Sequence, residues 1–248
     1  MEGIGTERIH SWCRAWRSLM GCNSLTLRCD DPSRPISCNP SLLSVSSTVA
    51  ASAMKGNADL VIDGTRSARL VPYRREHVPL YHGWMEREDL REATASEQLT
   101  LEEEYSMQKS WFEDSNKCTF IVLDKDFPSN EGLPNHGGAM AGDVNLFLND
   151  PEDVHAAEIE VMIAENRSRR KGLATEALEL MMLYGITELG IRKFYAKIGA
   201  GNAPSLSLFE RLGFEDVKFS KIFNEVEKAL EVSEALLSDL KAKQSGMS

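Results

Sequence analysis

Ile159-Glu160-Val161-Met162-Ile163-Ala164, followed by Arg169-Arg170-Lys171-Gly172-Leu173-Ala174 and a long amphipathic segment, is the stretch on which the fold turns. The first run is short and apolar and reads as a strand. The second is a basic glycine turn that opens a helix, with Leu173, Ala177, Met181 and Tyr184 at three-to-four spacing. A helix start has N–H groups with no internal partner and carries the positive end of the dipole. Glycine at that point lets an anion approach the backbone, and Arg169, Arg170 and Lys171 add charge. Strand, basic turn and helix together make a candidate phosphate site.

On either side of this stretch the sequence predicts the elements of one mixed α/β domain. Ahead of the turn come a short edge strand at Arg69 to Tyr73, a helix over Glu76 to Met85 and a loop from Ala93 to Thr100. Thr100 caps the next helix, with Glu103 three residues on as its capping-box partner. Strands follow at Cys118 to Leu123, at the alternating Asp143 to Leu148, and at Glu158 to Ala164. Behind the turn, Gly190 ends the long helix, Lys193 to Ile198 is a strand, and Pro204 opens a short helix closed by Leu212-Gly213-Phe214. Residues 222–231 suit either helix or strand, and Ser233 to Lys243 reads as an exposed helix running into a tail.

The expected organisation is a domain over 59–231, a helix and tail over 232–248, and a distinct stretch over 1–53 that holds four of the five cysteines, ten serines and no lysine. That stretch lacks periodicity and is expected to be disordered. It is read as an extension upstream of Met54 or as an organellar targeting segment; Glu2, Glu7, Asp30 and Asp31 weigh against the second. The expected compartment is the cytoplasm. Net charge is −10, which argues against broad nucleic-acid binding. No apolar run approaches the roughly 18–20 residues of a membrane span. The cysteines include no Cys-x-x-Cys pair, and the histidines are scattered along the chain, so no metal site is expected.

A second block, Asn202-Ala203-Pro204-Ser205-Leu206-Ser207-Leu208-Phe209-Glu210-Arg211-Leu212-Gly213-Phe214, lies one helix and one strand beyond the basic turn. The two blocks in this order resemble the GNAT superfamily of N-acetyltransferases. Leu70 to Tyr73, Thr94 to Glu97, Cys118 to Asp124, Gly142 to Leu148, Glu158 to Glu165 and Ala196 to Gly199 further resemble the N-acetyltransferase 9 family, over about Asp59 to Glu231. The resemblance implies a single acyl-CoA N-acyltransferase domain with a mixed central sheet flanked by helices. It implies acetyl-CoA as cosubstrate and a protein N-terminus as acceptor, by family that of α- and β-tubulin. Arg169, Arg170, Lys171, Gly172, Leu173 and Ala174 would then bind the cofactor's pyrophosphate, and Asn202 would hold pantetheine or a relay water, with Ser205 beside it.

The chemistry narrows the catalytic candidates. An α-amine has a pKa near 8 and a lysine near 10.4, so an N-terminus needs only a mild base. Glu158 and Glu160 share one strand face by the period-two rule. Either could be that base; Glu160 lies nearer the cofactor end, and the competing reading pairs one or both with a Lys or Arg. The oxyanion would meet backbone N–H groups near Met162 and Ile163. Phe209 departs from the family's tyrosine and cannot protonate the leaving thiolate. Trp84, Tyr105 and Trp111 read as core, with a peptide groove as the alternative. A lysine or small-amine acceptor, or a non-catalytic binding role, remain the competing functions.

Overall fold

The computed structural model describes residues 57–246. In chain order they form β1 (Ile62–Asp63), β2 (Ala68–Pro72), a 3-10 turn (Arg75–His77), α1 (Val78–Met85), α2 (Glu88–Thr94), α3 (Leu101–Glu113), β3 (Lys117–Asp124), β4 (Ala139–Phe147) and β5 (Ala156–Ile163). A second 3-10 turn (Asn166–Ser168) leads to α4 (Leu173–Glu188), β6 (Lys193–Gly199), α5 (Ala203–Arg211), β7 (Glu215–Ser220), β8 (Glu225–Glu231) and α6 (Glu234–Gln244). The 1–53 stretch lies outside the described residues.

The eight strands make one sheet in the order β1-β2-β3-β4-β5-β6-β8-β7. Every pairing is antiparallel except β5 with β6. A parallel pair needs a crossover, and α4 supplies it. Helix α4 covers one sheet face, setting Leu173, Ala177, Leu178 and Met181 against Phe120, Val144, Leu146 and Phe194. Helices α1 and α3 cover the other, where Tyr81, Trp84 and Trp111 meet Val71, Ile121, Met140 and Met162. The strands between these layers are buried along their whole length in β3 and β4.

Several expectations are met closely. Thr100 accepts from the Glu103 N–H while Glu103 accepts from the Thr100 N–H, completing the capping box. Gly190 and Gly213 end their helices at φ of 70° and 89°. Trp84 and Trp111 are core.

Others are corrected or, where two readings stood, decided. The edge strand is the two-residue β1, and β2 lies inside it; β1 reaches only Leu70 and Arg69, so the Pro72 end stays open on that side, as its missing N–H requires. Helix α2 falls where no helix is expected, because Leu90 is its single buried residue and leaves no period to read. Residues 225–231 are a strand because β6 and β7 offer them two partners. The C-terminal helix is not an exposed appendage. Leu240 is buried, Leu236 and Leu237 pack on the core, and Lys243 Nζ bonds Glu179 on α4 at 2.9 Å.

Candidate active site

The parallel pair is short. Strand β5 has eight residues and β6 seven, yet they pair only at Ala156–Lys193, Ala157–Phe194 and Glu158–Tyr195. Beyond Glu158 the two strands splay. One side of the opening is Ile159 to Ile163 and the other Ala196 to Gly199, and the N-terminus of α4 follows β5 after nine residues.

The splay exposes specific backbone groups. Ala164 N–H donates to Ala141 O on β4, so the Ile163 carbonyl of the same peptide plane points the opposite way. There it accepts from Arg169 Nε at 2.7 Å. Strand geometry puts a residue's N–H on the same side as its C=O, so Ile163 N–H, and Val161 N–H two residues before it, face the opening. Met162 N–H faces β4, and its side chain is buried against the α1 layer. Of the expected pair, the Ile163 N–H faces the opening, together with that of Val161, and the Met162 N–H does not.

At the mouth, Gly172 is the N-cap of α4 at φ 84°, a left-handed conformation that favours glycine. Leu173 is buried and Ala174 half-buried, and the first N–H groups of α4 have no intrahelical partner. Of the three basic side chains, two have structural partners. Arg169 holds Ile163 O, and Lys171 bonds Asp124 at 3.1 Å and Asp126 at 3.2 Å. Burial would raise the Asp124 carboxyl, but hydrogen bonds from Ser168 (2.6 Å) and Lys171 hold it below its ordinary range. Asp124 thus fastens the turn to the end of β3. Arg170, exposed at φ 59°, is the cation left facing solvent. An acid in a first helical turn would compete with a phosphate. Here Glu176 is turned away, accepting the N–H groups of Arg66, Ser67 and Ala68 at 2.7, 2.9 and 2.8 Å.

The two candidate bases separate. Glu158 sits in the last rung and is paired at 2.6 Å with Lys197, which lies two residues past that rung on β6. Glu160 is half-buried, stands opposite Asn145 of β4, and is the first acid of β5 past that rung. Its charge acts on Lys117, whose amine is lowered to about 8 by burial and supported by Glu160 and Asp143. Lys117 Nζ lies between the Trp111 and Phe147 rings at 3.7 and 3.8 Å.

On the β6 side, Asn202 caps α5, its Oδ1 accepting from Ser205 N–H at 3.2 Å. The structural role expected as the alternative for Asn202 is therefore present, and Ser205 is its half-buried partner. Phe209 is 3 % exposed and packs edge-on against Phe214 at 5.0 Å, so it is core and donates no proton. The histidines do not all stay apart. Glu76, His77 and His136 bring ligand-type atoms within 4.8 Å of one another, although His77 Nδ1 already accepts the Arg74 N–H at 3.1 Å.

Sequence reasoning missed Lys197, Asp124, Glu176, Lys117 and Asp143. Glu176 alone left a signal, an acid among the apolar positions of α4. The others depend on strand register. The clefts lined by Arg66, Glu176, Glu179 and Lys243, or by Leu60, Tyr184 and Leu189, lie between β1, α4 and α6, away from the splay.

The family model described as an acetyltransferase (GNAT) domain matches residues 68–215. Among curated proteins, the mouse alpha/beta-tubulin-N-acetyltransferase 9 is 54% identical over 181 residues, 73% of this chain and 75% of that protein. The human protein of the same name is 56% identical over 167 residues, 67% of this chain and 81% of its own. An N-acetyltransferase 9-like protein of Nematostella vectensis is 55% identical, covering 70% of this chain and 86% of its own. Among solved structures, Mycobacterium smegmatis RimJ in complex with CoA-disulfide aligns with TM-score 0.60 at 14% identity, covering 75% of this chain and 96% of that one. A Vibrio cholerae spermidine N-acetyltransferase in complex with CoA and spermine aligns with TM-score 0.55 at 17% identity, covering 69% and 98%. These two show the fold, and both are complexes with a form of coenzyme A. With a splayed parallel pair, a glycine-capped helix at its mouth and these relatives, the chain belongs to the GNAT acetyltransferases, within the N-acetyltransferase 9 family, and is an acetyl-CoA-dependent acetyltransferase.

Proposed function

We propose that this enzyme acetylates the α-amine at the N-terminus of an acceptor protein, with α- and β-tubulin as acceptors, in the cytoplasm. The observation that carries the reading is the place of Glu160, the first acid beyond the point where β5 and β6 part. Acetyl-CoA supplies the activated acyl group. Its phosphates fit the open N–H groups of α4 and the Arg170 guanidinium, and its pantetheine arm fits the splay beside Asn202. The thioester carbonyl then meets Val161 and Ile163 N–H. Glu160 takes a proton from the acceptor ammonium, and the neutral amine attacks. An α-amine near pKa 8 asks little of that base, while a lysine near 10.4 asks more. No tyrosine stands at position 209, so the second amine proton reaches the thiolate through water. A thiolate whose acid has a pKa near 8.5 leaves readily enough for this. Tubulin as acceptor rests on the printed names of the mouse and human relatives.

The test is product mass mapping after incubation with acetyl-CoA and a peptide library varied at its first residues, half of it blocked at the α-amine and carrying lysine. Acetyl should appear on free α-amines, with tubulin-type N-terminal sequences among the best acceptors. Acetylation of lysine in the blocked half at a comparable rate would overturn the reading.

A further inference from the structure

The sheet face beneath α1 and α3 is not lined by apolar side chains alone. Asp143 and Asn145 of β4 are 1 % and 2 % exposed, and Glu104 of α3 is 1 % exposed. Thr119 Oγ1 donates to Asn145 Oδ1 at 2.7 Å, and Asn145 Nδ2 donates to Asp143 Oδ2 at 2.7 Å. The chain of bonds stops there. Asp143 Oδ1, Tyr73 OH, Tyr81 OH, Glu104 Oε2 and His82 Nδ1 are all buried atoms without a hydrogen-bond partner. Groups so placed in a folded protein normally meet internal water. They also lie near one another. The Tyr73 and Tyr81 rings are 5.2 Å apart, the charges of Asp143 and Glu104 act on both hydroxyls, and the charge of Glu160 acts on Tyr81. His82 Nδ1 is 3.9 Å from Glu104 Oε1, and the His82 side chain is 21% exposed. At the other end, Asp143 stands opposite Met162, so Glu160 is its diagonal neighbour on the same face.

We propose that these groups hold a water-bridged proton path from Glu160, past Asp143 and the Tyr81 and Tyr73 hydroxyls, to Glu104 and out at His82. It rests on the assignment of Glu160 as base. The acceptor arrives as an ammonium, and its first N–H bond breaks toward Glu160. That proton must leave before the next turnover, and each member of the path gains one proton and passes one on. The amine then forms the C–N bond, the C–S bond breaks, and the second proton ends on the coenzyme sulfur. One proton per cycle reaches solvent. Charges facing the path suit it. Burial raises Glu104 to about 7 and Asp143 to about 6, so both can bind and release a proton near neutrality. Lys117 stands over the inner end, with Glu158 beyond it. These residues position and relay; none touches the reacting atoms.

The experiment uses Asp143→Asn, Glu104→Gln and His82→Ala in the full chain, beside Glu160→Gln. In the first three, kcat should fall by roughly 10-fold or more with both KM values within about two-fold, and the solvent deuterium effect on kcat should grow. Imidazole in the buffer should restore His82→Ala in a saturable way, which a purely structural defect would not allow. Full kcat in Asp143→Asn and Glu104→Gln, or a slow His82→Ala that imidazole leaves slow, overturns the path. If that happens while Glu160→Gln is slow, the base stands and only the path falls. A full-rate Glu160→Gln removes the base itself.

Discussion

Glu160→Gln is expected to lower kcat by about 10²–10⁴-fold while acetyl-CoA affinity is kept. Glutamine preserves the shape and the half-buried position opposite Asn145 but cannot accept a proton from an ammonium. Glu158 is a poor substitute, because Lys197 holds its carboxylate at 2.6 Å and it sits in the last β5–β6 rung rather than beyond it. The variant should still quicken as pH rises through the acceptor's own pKa near 8, since free amine then forms without help. The deficit should therefore be largest near pH 6.5 and shrink toward pH 9. Steady-state rates over that range, with calorimetry for acetyl-CoA, check this. A full rate at neutral pH would show that water or Glu158 suffices.

Gly172→Glu should weaken acetyl-CoA by roughly 100-fold or more, equivalent to about 2.7 kcal/mol. Two effects add. The φ of 84° belongs to glycine, and any side chain there is strained. The carboxylate would also stand before the open N–H groups of Leu173, Ala174 and Thr175, the proposed phosphate site. Crowding is not the cause, since an added Cβ meets nothing nearer than Arg66 Nη1 at 3.9 Å. Gly172→Ala separates the two, carrying the strain without the charge, and should lose much less. Calorimetry on variants with unchanged circular dichroism decides. Equal affinity in a folded Gly172→Glu would move the phosphates elsewhere.

The parts that sequence revealed are those written in local chemistry. A glycine at positive φ, a capping box and an Asn-Ala-Pro-Ser helix start each fix a backbone turn within a few residues. Gly172, Thr100 with Glu103, and Asn202 with Ser205 all stand where that chemistry puts them. The parts that stayed hidden depend on distant partners. The alternation of Asp143, Val144, Asn145 and Leu146 gives two faces, but only the packing of α1 and α3 buries the polar one. Lys171 reads as a phosphate ligand until Asp124, 47 positions earlier, is seen to hold it. Residues 225–231 carry no decisive period, and two waiting strand edges settle them. Glu158 and Glu160 look alike in sequence; they differ because the splay begins between them.

If acetyl-CoA enters the gap between β5 and β6 with its phosphates on α4, the amides lining that gap become protected when it binds. Residue-resolved hydrogen exchange with and without acetyl-CoA tests this most directly. New protection is expected at the Val161 and Ile163 amides and at Leu173, Ala174 and Thr175, with Met162 unchanged because its N–H already faces β4. Protection confined to the cleft between β1, α4 and α6, with Val161 and Ile163 still exchanging freely, would contradict it.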